Sequence, residues 1–406
     1  MSTKSGWTLV LAAAALLAFS GCSTTKNATT ASGIVWVATA GDQMITTYSI
    51  NSTSGAGSRV GNGVPSGVQP SAMVMTPDRK TLFVADLGEI RAFSVNTDGT
   101  LKAIGSPVPV TPSPSGLAVD AAGKLLFVVS QGNSGALGQP NTVPGTISIF
   151  NISSSAAPTP VTNSPFPSTL PGDAIGNGPK AIAVSPVGSF VYVANQFTNT
   201  LGLFSYDATA GTLTFIAQYQ TGANPAALAF SRCAGGKVLN ANCTASDGDN
   251  LFVANSGLSN NISIFAACIE VTPSCASPDG RLQAVGSPVS ASAIGPSSIV
   301  VSPQLDFVYV VDTQSNEVSQ FKYGPASGSL TSLSPATIST GSSPVSGGIT
   351  SDGAFVIVPD SGGSDLAVFK VANAVSSTGA APTGLLSRAS KASVTLASQP
   401  SAIIVR

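Results

Sequence analysis

No histidine occurs among the 406 residues. Without imidazole, neither a Ser-His-Asp nor a Cys-His relay can be assembled. Acid–base work is left to carboxylates and amines. Three carboxylates, Asp86, Asp312 and Asp360, fall at one place in a recurring pattern, where Ser130, Asn195 and Asn255 stand in other copies. Arg91 and Lys180 are the cations that could stand beside such carboxylates and donate to a developing oxyanion. The three Asp residues could also hold Ca²⁺ or Mg²⁺, or a polar ligand; no other cofactor is expected. The plainer explanation of all six residues is local. Asp, Asn and Ser that close a strand make turn-forming hydrogen bonds to the backbone. Recurrence around the whole array favours that explanation, and no catalytic residue is assigned.

Five cysteines divide as one and four. Cys233, Cys243, Cys268 and Cys275 are expected to form disulfides if the chain is exported. Adjacent pairing, Cys233–Cys243 and Cys268–Cys275, closes two small loops, and two other connectivities stay open. No metal site is expected, because the spacings match no common zinc pattern. The stretch Ser246 to Asp249 (SDGD) lacks the flanking ligands of a calcium loop.

Composition sets the class. Hydrophobic residues make up 43% of the chain, enough for a large core, while charged residues are only 9%. Seventeen basic and eighteen acidic residues leave a net charge of −1. That excludes the basic footprint of a nucleic-acid binder. Polarity comes instead from Ser, Thr, Asn and Gln, a neutral hydroxyl-rich surface suited to a place outside the cytoplasm.

Lys4 and the twelve apolar residues from Trp7 to Ala18 read as a targeting segment, too short for a bilayer span of about twenty residues. Phe19-Ser20-Gly21-Cys22 resembles the lipobox of bacterial lipoprotein signal peptides. That resemblance implies a signal peptide over 1–21, a lipidated Cys22 and a tether over 22–33. The expected location is extracytoplasmic, anchored through lipid at the outer membrane, on its periplasmic or its surface side.

The elements that position these residues come from a repeat. One unit is a proline followed by a short apolar run, as in PSAMVMT at Pro70, PSGLAVD at Pro114, PKAIAVS at Pro179 and PAALAFS at Pro225. PSSIVVS at Pro296, PVSGGIT at Pro344 and PSAIIVR at Pro400 complete seven copies. A second unit, such as LFVAD at Leu82, VYVAN at Val191 and VYVVD at Val308, also occurs seven times. Alternating stretches such as TISIFNI and DLAVFKV follow, then shorter ones behind DG or GT turns. These are strand and hairpin signals. Pro70 to Pro114, Pro179 to Pro225 and Pro296 to Pro344 span 44, 46 and 48 residues, the length of a propeller blade. The expected fold is an all-β, seven-bladed β-propeller over 34–406, with four antiparallel strands per blade. The last strand, 400–405, should supply the missing inner strand of the blade begun at Ile34 and close the ring as a monomer.

The strands VYVAN, LFVAN and LFVAD resemble the YVTN-type repeat, and the array from Ile34 to Arg406 is similar to the lactonase family of seven-bladed propellers. The resemblance implies a ligand face where the second strands end and the blade-joining loops lie. Insertions at 131–145 and 166–179 should emerge there. Those at 232–249 and 266–279, which carry the four cysteines, should share the opposite face. Phosphogluconolactonase members are expected to use histidine and arginine, and here no histidine is available. The first functional expectation is therefore a binding module at the cell envelope, for a carbohydrate, an envelope polymer or a protein. The alternatives are a lactonase-like hydrolase that uses carboxylates and a structural envelope component. Two carboxylates and a basic group around one cavity would favour the hydrolase.

Overall fold

The computed structural model describes residues 31–132, 144–168, 178–231, 249–303, 307–325, 327–372 and 383–406. Regular structure among them is entirely β-strand, arranged as seven antiparallel sheets. Blades 1 to 6 have inner strands Ala72–Met75, Pro114–Val119, Pro179–Val184, Pro225–Phe230, Pro296–Val301 and Gly348–Ile349. Blade 7 joins Pro400–Val405 to Ala31–Thr39, Met44–Asn51 and Gly57–Pro65. The closure expected from the sequence is present. Val35 pairs with Val405, Trp36 with Ile404 and Val37 with Ile403. Hydrogen bonds between Ile34 and Arg406 at 3.1 and 2.9 Å finish the seam. The first strand begins at Ala31, three residues before the expected boundary at 34.

Each second strand is an unbroken apolar run because blades stack on both of its faces. Thr81–Asp86, Leu125–Ser130, Asn250–Asn255, Phe307–Asp312 and Phe355–Asp360 are buried at every position. The core therefore lies between sheets, as where Phe252, Ile262 and Ile264 of blade 4 meet Val308, Val310 and Phe321 of blade 5. Polar tips of aromatic residues join blades as well. Trp36 Nε1 donates to Gly99 O at 2.7 Å, and the Tyr192 and Tyr309 hydroxyls donate to Gly280 O and Gly384 O at 2.6 and 2.7 Å. Each acceptor sits in the hairpin turn of the next blade.

Two details depart from a uniform repeat. In PVSGGIT only Gly348–Ile349 forms strand, with an isolated bridge between Pro344 and Asp360. A Cβ on Gly348 would lie 2.4 Å from Val405 Cγ2, so the tight approach of blade 7 requires glycine there. The outer strands of blades 2 and 4 are each split, into Thr159–Pro160 and Phe166–Pro167, and into Leu282–Ala284 and Val289–Ser290. Prolines at 158, 160, 165, 167 and 288 interrupt those stretches, and proline cannot donate to a ladder.

Cys268 and Cys275 form a disulfide with Cα atoms 5.3 Å apart, so pairing of either with Cys233 or Cys243 is excluded. Cys233 and Cys243 lie outside the described residues, as do Cys22 and the segment before it. No helix among the described residues is long and apolar enough to cross a membrane.

Candidate functional site

The repeated proline places a bulge at the start of the inner strands. In blade 2, Pro114 pairs with Ser130 and Gly116 with Val129, so Ser115 drops out of the ladder. The same skip occurs at Lys180, Ala226, Ser297 and Ser401. A bulge re-aims the side chain of its extra residue. The Ser71 hydroxyl reaches sideways to Pro114 O at 2.7 Å, and Ser115 reaches Pro179 O at 2.7 Å. Each bond ties one inner strand to the next. At the following step, Lys180 stands where a third serine would reach Pro225.

Lys180 lines a cavity of about 230 Å³ across blades 1 to 3. Gln69, Ser71, Ser113, Ser115 and Gln131 supply hydroxyl and amide groups, and Leu87 gives an apolar edge. These residues come from the inner-strand starts and from turns after second strands, so the cavity opens on the expected ligand face. Gln131 and Pro179 are also where the two insertions of that face join; residues 133–143 and 169–177 lie outside the described residues.

Lys180 is half-buried and takes part in none of the ion pairs among the described residues. Burial holds its amine below the usual lysine value, because desolvation disfavours the charged form. The amine is thus neutral, and so available to accept a proton, more of the time than that of an exposed lysine, and as an ammonium it would be a cation seeking one negative partner.

The carboxylates singled out from the sequence are not in this cavity. Asp86 Oδ2 is 3.1 Å from Arg91 Nε, and Arg91 also binds Glu89 at 3.1 Å. A Cβ on Gly67 would fall 1.5 Å from Asp86 Oδ2, so bare backbone covers that carboxylate. Asp312 accepts from the Ser319 hydroxyl at 2.7 Å and its amide at 3.2 Å, and Asp360 accepts from the Thr340 hydroxyl at 2.8 Å. Burial pushes Asp312 up to about 7 and Asp360 up to about 6. Asn255 Nδ2 donates to Asn261 Oδ1 at 2.8 Å and to the Ser263 hydroxyl at 3.0 Å, and Asn195 Nδ2 approaches Thr200 Oγ1 at 3.4 Å. Ser130 closes its strand fully buried. These residues sit inside the blades, and for most of them the bonds fasten the ends of second strands. Among the described residues, no three acidic or cysteine side chains converge on a metal position.

A second cavity of about 190 Å³ lies between blades 7 and 1, with Val64, Pro65, Phe93 and Pro107 in its wall. It is mainly apolar, and its cation, Arg91, is already held by two carboxylates.

The sequence matches the family of lactonases with a seven-bladed β-propeller over residues 34–165, 145–266 and 271–389. The chain belongs to that family. This lactonase-family propeller resembles a protein assigned as a 6-phosphogluconolactonase from Bacteroides uniformis, at 16% identity and a TM-score of 0.70, covering 92% of this chain and 99% of that one. It also resembles the periplasmic gluconolactonase of Pseudomonas aeruginosa, at 19% identity and a TM-score of 0.70, covering 92% and 98%. Identities this low show a common fold. No curated protein matches the sequence.

Within the lactonase-family array, the residue after each repeated proline reads Ser, Ser, Lys, Ala, Ser, Val, Ser. Lys180 is the single charged member of that set, a signal visible in the sequence. The inter-blade serine bonds were not legible there, because they depend on the bulge.

Proposed function

We propose that this propeller hydrolyses small, unphosphorylated sugar lactones at the cavity of blades 1 to 3, with Lys180 as the proton-transfer group. The observation that carries the reading is one half-buried amine, in no ion pair among the described residues, in a cavity lined mainly by hydroxyls and amides, in a member of the lactonase family. The volume is below the ~300–1,000 Å³ of drug-sized ligand sites, which suits a single sugar ring. The amine of Lys180 accepts a proton as water attacks the lactone carbonyl carbon. Donors such as the Gln69 amide stabilise the oxyanion. Collapse of the intermediate breaks the bond from the carbonyl carbon to the ring oxygen, and Lys180 returns the proton to that oxygen. An amine thus takes the role that the sequence had suggested for a carboxylate.

A polar wall with no carboxylate among the described residues also suits carbohydrate binding without turnover, the second reading. Acid release from a panel of aldonolactones, followed by pH-stat with residues 23–406, separates the two. The expected result is turnover above the spontaneous rate, falling roughly 10²-fold or more in Lys180→Met. Binding of lactones without acceleration of any of them would replace hydrolysis by binding. The reading places the protein outside the cytoplasm on a lipid attached to Cys22. Incorporation of labelled palmitate into the wild type and into Cys22→Ala checks this, and equal labelling would refute it.

A further inference from the structure

We propose that the same cavity is a binding site for polyhydroxylated acids carrying one carboxylate, aldonates and uronates, and that it selects them over both neutral sugars and phosphorylated acids. The inference rests on the cavity being the functional site, as the preceding reading has it, but does not require turnover.

Charge counting carries it. Among the described residues, Lys180 is the one charged member of the cavity wall. It is half-buried, with no carboxylate paired to it among the described residues. A cation partly withdrawn from water gains most from a single anion that reaches it. The Ser71 and Ser115 hydroxyls already direct their protons to Pro114 O and Pro179 O. Toward a ligand they therefore present lone pairs, which accept from sugar hydroxyls and do not donate to phosphate. The nearest cation in sequence to the cavity edge, Arg91, is fixed between Asp86 and Glu89 and has no charge to spare. A phosphate dianion in this wall would meet one positive group and serine oxygens that repel it. Leu87, 56% exposed at the edge, offers an apolar contact to the C–H face of a sugar. Phe197, 47% exposed, lies against Gly178, two residues before Lys180.

The chemistry agrees with the order of events. Opening a lactone leaves a carboxylic acid at the carbon that was attacked, and its proton passes to the adjacent amine, so that a carboxylate lies beside the Lys180 ammonium. Product then holds the site through a charge-assisted bond that the neutral lactone cannot make, so the ring-opened acid restrains further turnover.

Titration calorimetry on residues 23–406 with D-gluconate, D-glucuronate, D-glucose and 6-phosphogluconate tests the proposal, with Lys180→Met and Lys180→Arg as variants. Gluconate and glucuronate are expected to bind about tenfold or more tightly than glucose. The phosphorylated acid should bind no tighter than gluconate, Lys180→Met should lose the preference, and Lys180→Arg should keep part of it. Equal affinity for glucose and gluconate, tighter binding of 6-phosphogluconate, or an unchanged preference in Lys180→Met would each overturn it. Gluconate binding with no lactone turned over would sustain the inference and reject hydrolysis. Lysine-dependent turnover without gluconate binding would do the reverse.

Discussion

The Ser115 hydroxyl donates to Pro179 O at 2.7 Å and so fixes the backbone of blade 3 one residue before Lys180. Ser71 makes the equivalent bond to Pro114 O, one blade further from the amine. Both Ser→Ala changes should cost about 1 kcal/mol each, measured by urea unfolding. Both hydroxyls line the cavity, so both changes should raise KM for lactones, and Ser115→Ala substantially more, because it alone anchors the segment that carries the lysine. Equal kinetic effects of the two variants would show that the bond does not position Lys180.

Tyr192→Phe removes the donor to Gly280 O and leaves a buried carbonyl without its partner. The expected loss is about 1–3 kcal/mol of stability, with lactone turnover unchanged. Tyr309→Phe should behave alike through Gly384. Losses within about 0.3 kcal/mol of zero would mean that the ring contacts alone hold these blades together.

Burial raises Asp312 to about 7 and Asp360 to about 6 from the ordinary 3.8. The folded protein therefore keeps protons that the unfolded chain releases above about pH 4. Their contribution to stability is full below that pH and is lost as pH rises through 6 and 7, on the order of a few kcal/mol. Asp312→Asn removes part of this dependence while keeping an acceptor for Ser319. Melting temperatures at pH 4.5 and pH 8 should show the variant gaining on wild type at the higher pH. A constant difference between the two pH values would sink the assignment.

Deleting residues 400–406 removes the inner strand of blade 7, and with it the pairs from Val35–Val405 to Thr39–Pro400. The edge of Ala31–Thr39 that paired with it is then left open. The truncated chain should melt well below wild type and self-associate in sedimentation or light-scattering measurements. A monomer with an unchanged melting temperature would refute closure by this strand.

The fold was legible because each blade carries two independent marks, a proline-led inner strand and an apolar second strand, and both repeat. Where a mark failed, packing had overruled it. PVSGGIT is glycine-rich because Val405 presses on Gly348, and most of it does not pair. The site was only half legible. Asp86, Asp312 and Asp360 were visible as a recurring set, but whether a strand-ending carboxylate faces the channel or the blade interior depends on twist and on the neighbouring turn. Gly67 over Asp86 and Ser319 beside Asp312 decide it in favour of the interior. Lys180 was named only as a cation that could accompany a carboxylate, and its place at the cavity rests on the bulge that takes it out of the ladder.

The seam of blade 7 has a mechanical consequence. Strands Ala31–Thr39 and Pro400–Val405 run antiparallel, and the Ile34–Arg406 bonds lie at the end where both leave the sheet. Tension applied between residues 31 and 406 would therefore break the hydrogen bonds one after another, as a zipper opens, and would not load them in shear together. A ring held by seven packed interfaces would yield to a weak pull along this one line, and from there the blades would come apart in order around the circle.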